Sequence, residues 1–315
     1  MVIALFRSTL STVILALCFC IVSGFCAAPA SAEPAAATPQ PETAPFTITV
    51  TPSRQFDAHL SGGGTVGVSR YLLDITANKP LSETLGVGLN FIYEFADYNF
   101  SAPVAFSGAK PWGQVHHLEL GGSVVYDVTP VWSIYVAPTV EFLREDGAGW
   151  NNAVAYGGDI FVTRDFSPTL TLGLGAEVFD ELGKVTPLPL VIVNWKINDR
   201  LVLANSSQTG PMGQLGAELA YTLGDGWEAA AGGAYKSSRF RLSNSGLYNG
   251  GVAEEFSYPA WGRISRKAGK NLNFDLYAGA MLGGELHIDD SNGNRIKSDR
   301  YDPAPFMSLA FSARF

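Results

Sequence analysis

Acid–base side chains at short, regular spacing are rare in this sequence, and the best example is His117, Glu119 and Ser123. A histidine beside a carboxylate can act as a general base, and a serine that it activates can attack an ester. Side chains two residues apart in a β-strand point the same way, so these three would share a face. This spacing is common on polar strand faces and indicates no catalytic site by itself. A lipid-acting enzyme that uses His117 and Glu119 therefore stays an alternative.

The sequence contains no recognisable metal, thiol or cofactor site. His116 and His117 are adjacent, so in a strand they point to opposite faces and cannot bind one metal ion. The cysteines are Cys18, Cys20 and Cys26, and they all fall within an N-terminal segment that we predict to be removed. The mature chain would then have no disulfide and no thiol ligand or nucleophile. We predict neither a metal ion nor a cofactor.

Charged residues recur at alternate positions in many separate segments, which places them on one face of a series of strands. If the other face meets lipid, the charged face must meet water or opposite charges inside a closed barrel. Acidic side chains in a water-filled interior would favour cations, whereas internal ion pairs that fix the barrel shape are an equal alternative. The predicted pore lining consists of Arg70, Asp74, Glu94, His117, Glu119, Glu141, Asp159, Glu177, Glu218, Lys236, Arg263, Asp275 and Glu285.

The elements that would carry these residues are β-strands, and the clearest two lie near the end of the sequence. Between residues 271 and 287, apolar residues occupy the even positions and mostly polar residues the odd ones. This alternation predicts a strand with one apolar face. Residues 305–315 alternate in the same way. We predict that they form a barrel-closing strand whose lipid-facing residues are Met307, Leu309, Phe311 and Phe315.

Turn signals divide the remaining sequence into strands long enough to cross a membrane. Short turns are predicted near residues 80–83, 129–130, 167–168, 198–200, 224–226 and 269–271. Longer links are predicted near residues 97–114, 145–151, 181–187, 207–212, 242–251 and 288–304. Short turns on one rim and long loops on the other are typical of outer-membrane barrels. The sequence therefore predicts an all-β fold, a transmembrane antiparallel β-barrel of about fourteen strands, with twelve as the alternative.

Large aromatic residues stand beside the predicted short turns, on the face that we assign to lipid. Aromatic side chains of this kind collect at the boundary between hydrocarbon and headgroups. We predict an aromatic girdle at one membrane interface, made of Tyr126, Trp132, Trp195, Tyr221 and Trp227.

The N-terminal region differs in composition from the strands. Residues 1–25 contain Arg7 as their only charged side chain, and Ala30-Ser31-Ala32 forms a small-residue cleavage pattern. This combination predicts a secretory signal peptide over residues 1–32. The proline- and alanine-rich residues that follow predict an extended periplasmic linker over residues 33–53. The barrel is then expected over residues 54–315.

The amino-acid composition limits the kinds of molecule that this protein can bind. Hydrophobic residues make up 47% of the chain and charged residues only 16%, yet no apolar run after residue 32 has the length of a membrane helix. The formal net charge of −8 argues against nucleic-acid binding through a basic patch. We expect contact with outer-membrane lipid and lipopolysaccharide and with the barrel-assembly machinery. The oligomeric state stays open.

Several phrases resemble an outer-membrane β-barrel family of unassigned function. The resemblance covers most of residues 54–315, and its phrases are strand-and-turn phrases without a reaction motif. It implies a porin- or transporter-like barrel in the outer membrane of a Gram-negative bacterium. The phrases are Val68-Ser-Arg-Tyr71, Ile92-Tyr-Glu-Phe-Ala-Asp-Tyr98, Val193-Asn-Trp-Lys-Ile-Asn-Asp-Arg200, Gly233-Ala-Tyr-Lys-Ser-Ser-Arg-Phe-Arg-Leu242 and Gly279-Ala-Met-Leu-Gly-Gly-Glu285.

Three functions are compatible with these patterns. The leading hypothesis is a passive channel or transporter for small cationic or apolar solutes, because the predicted interior is charged and net acidic. A structural or adhesive surface barrel is the second hypothesis, and it would depend on the long links near 97–114 and 288–304. The lipid-acting enzyme is the third.

Overall fold

The computed structural model describes residues 46–205, 210–211 and 215–315. These residues form strands and two short 3-10 helices, Val104–Phe106 and Trp150–Asn152. Among the described residues, no helix has the length and hydrophobicity needed to cross a membrane. The strands are β1 (Phe46–His59), β2 (Thr65–Pro80), β3 (Leu85–Ser101), β4 (Gln114–Thr129), β5 (Trp132–Glu145), β6 (Val154–Ser167), β7 (Leu170–Glu181), β8 (Lys184–Lys196), β9 (Leu201–Ala204), β10 (Leu215–Gly224), β11 (Trp227–Arg241), β12 (Val252–Ala268), β13 (Leu272–Asp289), β14 (Arg295–Tyr301) and β15 (Ala304–Arg314).

The strands form one closed antiparallel barrel. Each strand from β1 to β13 pairs with the next one in sequence, and β15 pairs with both β13 and β1. Pairing of Thr47 with Arg314 completes the ring beside its lower rim, which we define as the rim of the short turns. The predicted all-β barrel of fourteen strands is confirmed, and the twelve-strand alternative is wrong.

The end of the chain differs from the prediction, because β14 and β15 are two parts of one interrupted strand. Both pair with β13, and Gly284–Tyr301 and Met281–Ala304 belong to the same register. Only Asp302 and Pro303 separate them, and proline cannot donate a hydrogen bond to the ladder. The link predicted over residues 288–304 is therefore a short turn at residues 290–294 followed by a strand.

The beginning of the barrel also differs. β1 starts at Phe46, so residues 46–53, predicted as linker, belong to the first strand, and the barrel does not begin at residue 54. Pro52 concealed this strand, because proline cannot donate to a ladder; the pairing with β15 is interrupted at Thr51 and Pro52, while the pairing with β2 continues. The predicted signal peptide and the first part of the linker lie outside the described residues.

The outer surface of the barrel is apolar, and aromatic residues stand at its lower rim. Tyr126, Trp132, Trp195, Tyr221 and Trp227 are exposed on the outer face, each beside a short turn. Such a band is what a lipid bilayer requires of a membrane-spanning barrel. On β15, Met307, Leu309 and Phe311 are exposed on the same face, and the ring of Phe315 lies 6.0 Å from that of Phe46.

Apolar side chains fill much of the upper half of the barrel interior, and we call this packing the upper cluster. Trp112 is at its centre, with its ring 5.7 Å from the rings of both Tyr98 and Phe240. The link between β3 and β4 supplies Phe106 and Trp112, so this link folds into the barrel. Other members are Val66, Val68, Val115, Leu143, Met281, Leu286, Ile288, Tyr301 and Phe306.

The barrel wall is least regular around β9 and β10, which are shorter than their neighbours. β8 pairs with β9 only from Asn194 to Lys196. Above this level, Lys184 Nζ on β8 lies 2.9 Å from a Glu254 oxygen on β12, and Arg239 on β11 donates a hydrogen bond to the Glu181 carbonyl on β7. Side chains therefore bridge this stretch of the wall near the upper rim.

Candidate functional site

Twelve of the thirteen predicted lining residues lie on the inner face. The strand register shows this, because residues paired directly across a ladder share a face. His117 pairs with Leu143, which packs in the upper cluster. Asp159 pairs with Ala137, which is buried. The inward residues are Arg70, Asp74, Glu94, His117, Glu119, Glu141, Asp159, Glu177, Glu218, Lys236, Arg263 and Asp275.

Glu285 is the exception and lies on the outer face. The ladder between β12 and β13 shifts between Tyr258 and Phe256, which leaves an extra residue on β13 at the Gly283–Gly284 position. An extra residue reverses the side-chain direction of everything beyond it. Glu285 consequently pairs with Arg300, and its oxygens lie 3.1 Å from Arg300 Nε and from His287 Nε2.

A buried ionic network lies directly below the upper cluster. Arg70 Nη2 lies 2.7 Å from Glu255 Oε2, so the contact joins β2 to β12 across the interior. Tyr98 and Tyr301 both donate hydrogen bonds to the Glu255 carboxylate, and Arg70 Nε lies 3.6 Å from Glu94. A buried ion pair needs such additional hydrogen bonds to offset desolvation. This network cross-links the barrel.

A second network surrounds Arg263 in the lower half. Its guanidinium group lies 2.6 Å from Glu218, 2.6 Å from Glu228 and 3.0 Å from Asp275. Trp261 donates its indole N–H to Glu218 as well. This wall of the interior, on β10 to β13, therefore carries three acids that share one base.

The opposite side of the interior carries acids without bases, and we call it the acidic wall. It consists of Asp74 on β2 and of Glu119, Glu141, Asp159 and Glu177 on β4 to β7. Among the described residues, no lysine or arginine side chain forms an ion pair with any of the five. Their polar contacts are neutral ones, such as the bond that Asn90 donates to Glu119, apart from His117 beside Glu141. The acidic wall is the candidate site.

The acid–base group considered from the sequence does not assemble. His117 and Ser123 are six residues apart on one strand, which corresponds to about 20 Å. His116 faces outward, where it contacts Tyr93 and Asp146. These positions give no serine nucleophile within reach of a histidine base.

Sequence reasoning missed one neighbour that matters, the contact between His117 and Glu141. Part of the signal was present, because a tight turn at Pro130 joins β4 and β5. The register then shifts between Asp127 and Thr129, which the sequence does not reveal. That register pairs Glu119 with Glu141 and places His117 diagonally across from Glu141.

The barrel resembles several solved structures at low sequence identity. An outer membrane channel from Pseudomonas putida F1 is 10% identical with a TM-score of 0.47, and the match covers 90% of this chain and 100% of that one. The KdgM porin is 11% identical with a TM-score of 0.37, over 85% of this chain and 99% of that one. The P. putida toluene transporter TodX is 10% identical with a TM-score of 0.39, over 88% and 91%.

Sequence comparison gives a family without a described activity. No curated protein sequence shows significant similarity to this chain. The sequence profile described as "Domain of unknown function (DUF6268)" matches residues 131–312. This match spans more than half of the chain, from β5 to β15, and includes Glu141, Asp159 and Glu177 of the acidic wall. The chain therefore belongs to the DUF6268 family.

Proposed function

We propose that this protein is an outer-membrane channel or transporter for small cationic solutes. The acidic wall carries the proposal, because its five carboxylates face the interior and, among the described residues, none forms an ion pair with a lysine or arginine; His117 beside Glu141 is the one basic neighbour. Unpaired carboxylates in a membrane-spanning lumen attract cations and repel anions. Asp159 and Glu177 pair directly across the β6–β7 ladder, which concentrates negative charge at one height.

The membrane location is part of the proposal. An apolar outer face with aromatic residues at the lower rim suits a bilayer, and only closed barrels and helices satisfy their backbone hydrogen bonds there. We propose export through a cleaved signal peptide, insertion by the barrel-assembly machinery, and contact with outer-membrane lipid and lipopolysaccharide.

The upper cluster limits the single-channel conductance that we expect. Trp112, Phe106 and Phe240 are almost fully buried, so the straight route along the barrel axis is narrow at their level. Glu181 continues the acidic wall upward on β7 and approaches the bridge of Lys184 and Glu254. We expect small unit conductance and a route for solutes along β5 to β8, beside the upper cluster.

The decisive experiment is the reversal potential of the refolded protein in a planar bilayer that separates two KCl concentrations. We expect a preference for K⁺ over Cl⁻. The double variant Asp159→Asn/Glu177→Gln should lose most of it, whereas Asp97→Asn, which removes a carboxylate from the outer face of β3, should leave it unchanged. An unselective channel, or equal effects of both changes, would refute the role of the acidic wall.

A structural barrel is the second candidate, and the two buried ionic networks favour it. They join β2 to β12 and β10 to β13, and they stiffen the wall whether or not anything passes. The same recordings separate the two functions. A folded protein that stays electrically silent even after residues 103–112 are shortened would favour the structural barrel.

A further inference from the structure

Three metal-binding side chains meet on the acidic wall. His117, Glu119 and Glu141 each offer one ligand atom, and these atoms all lie within 4.8 Å of one another. The closest contact joins His117 Nε2 and Glu141 Oε2 at 3.4 Å. In a tetrahedral site with bonds of about 2.0–2.2 Å, ligand atoms are about 3.4 Å apart, so small side-chain movements would complete the geometry.

The pairing of the two glutamates is unfavourable without a cation. Glu119 and Glu141 stand directly opposite each other in the β4–β5 ladder, where like charges destabilise a sheet. The Glu141 side chain is only 9% exposed, so water screens this repulsion poorly. Among the described residues, no lysine or arginine forms an ion pair with either glutamate.

His117 and Asn90 are arranged as a metal site requires. The Nε2 atom of His117 is buried and has no hydrogen-bond partner among the described residues, although it is directed at Glu141. Asn90 Nδ2 donates a hydrogen bond of 2.9 Å to Glu119 Oε1 and leaves the second carboxylate oxygen available. Groups that support a ligand in this way orient it for the metal.

We propose that His117, Glu119 and Glu141 bind one divalent transition-metal ion of the Zn²⁺ class on the inner wall of the barrel. An imidazole with two carboxylates suits Zn²⁺ and its neighbours, whereas Ca²⁺ and Mg²⁺ prefer oxygen ligands alone. Water from the interior would complete the coordination. The site does not depend on the proposed channel, because a barrel that conducts nothing can still bind the ion.

Calorimetric titration with Zn²⁺ tests the site, using the whole protein refolded in detergent micelles. We expect one Zn²⁺ per chain. His117→Ala and Glu141→Gln should each weaken binding at least about tenfold, the lower end of the loss seen when only a supporting group is changed. Co²⁺ should bind in the same place and show visible absorption bands that both variants lose. A tenfold excess of Ca²⁺ should not displace Zn²⁺.

Glu177→Gln is the matched control, because it removes a carboxylate from the same acidic wall but outside the three ligands. It should leave Zn²⁺ affinity within about twofold, and gel mobility with and without heating should show that every variant folds. The proposal is overturned if the barrel binds no Zn²⁺, if Glu177→Gln weakens binding as much as Glu141→Gln, or if Ca²⁺ competes equally. If the unaltered protein binds Zn²⁺ but shows no preference for K⁺ over Cl⁻, the channel alone is refuted.

Discussion

Arg263 shows how a single residue determines the charge balance of one wall. Its guanidinium group contacts Glu218, Glu228 and Asp275, and only 11% of the side chain is exposed. Arg263→Ala would leave these three acids facing one another without a base. Breaking a buried ion pair from one side costs about 3–5 kcal/mol, so we expect a loss of this size in the free energy of unfolding. Urea titration of the refolded barrel measures it.

Lys270→Ala is the control for Arg263→Ala. Lys270 lies exposed in the turn between β12 and β13, so its removal changes the net charge equally without touching the interior. We expect its effect to stay within about 0.5 kcal/mol. Similar losses in both variants would show that Arg263 acts through net charge rather than through its three contacts.

The individual site residues were only partly predictable from sequence. Alternation is enough to place Asp159 or Arg263 on a charged face. It cannot show that Arg263 has three acidic partners, because two of them come from the neighbouring β10–β11 hairpin. The contact of His117 with Glu141 was accessible only in part, because a tight turn joins β4 to β5 but the ladder shifts between Asp127 and Thr129.

At the scale of elements, the Gly283–Gly284 bulge is a position where one methyl group should matter. A Cβ on Gly284 would lie 2.0 Å from the Tyr301 ring, and Tyr301 is held by its hydrogen bond to Glu255. Gly284→Ala should therefore lower the free energy of unfolding by about 1–3 kcal/mol, the usual cost of overpacking. Urea titration again supplies the measurement.

Gly86→Ala is the comparison for this change. Gly86 lies in β3, and no atom stands within 4 Å of the position that an alanine methyl group would take, so alanine should be tolerated. If Gly284→Ala is as mild as Gly86→Ala, the bulge does not need its glycine. The bulge also explains why Glu285 was misplaced, because counting by twos along β13 cannot reveal an extra residue.

The stability of the turn at residues 290–294 should depend on pH. Backbone N–H groups of Asn292 and Asn294 donate to the Asp290 carboxylate, and hydrogen bonds from Asn294, then Asn292, hold its pKa below the ordinary value. A lowered pKa in the folded state means that this stabilisation is present at neutral pH. It is lost as pH falls below the ordinary Asp value of about 4 towards the folded-state pKa.

Hydrogen exchange of the β14 amides measures this effect. At pH 7, backbone amides at the top of the β13–β14 hairpin should exchange faster in the Asp290→Ala variant than in the original protein. The reason is that the turn loses the acceptor of two of its hydrogen bonds. Near pH 2.5 the difference between the two should shrink. Ser291→Ala, in the same turn, serves as the control and should exchange normally at both pH values. Equal exchange of all three proteins at pH 7 would show that the carboxylate does not hold the turn.

At the scale of the whole molecule, the upper cluster links stability to the proposed flow of ions. Trp112 is 1% exposed and contacts aromatic rings from β3, β11 and its own link. Trp112→Ala should cost about 3–5 kcal/mol of unfolding free energy and should raise single-channel conductance, because the packing that narrows the axis is removed. Trp150→Ala, which removes an exposed tryptophan, should change both quantities little. A destabilised protein with unaltered conductance would place the route of flow away from the upper cluster.

The ring of strands could be predicted from sequence, but the filled upper half could not. Alternation and turns are local signals, and they are enough to indicate successive antiparallel hairpins. The upper cluster combines Val66, Trp112, Phe240 and Phe306, which are far apart in sequence and meet only after the ring has closed. On any single strand, the few apolar residues that point inward only interrupt the polar lumen face, so they give no sign that they pack together.

The seam between β1 and β15 has a consequence for biogenesis. It is the pairing that joins the two ends of the barrel, and Phe46 accepts a hydrogen bond of 2.9 Å from Phe315 there. Until the final strand has been synthesised, the free edge of β1 is an open template for pairing with other chains. A circular permutant that fuses residue 315 to residue 46 and starts at the 81–84 turn would transfer this vulnerable edge to β3 while keeping every strand pair.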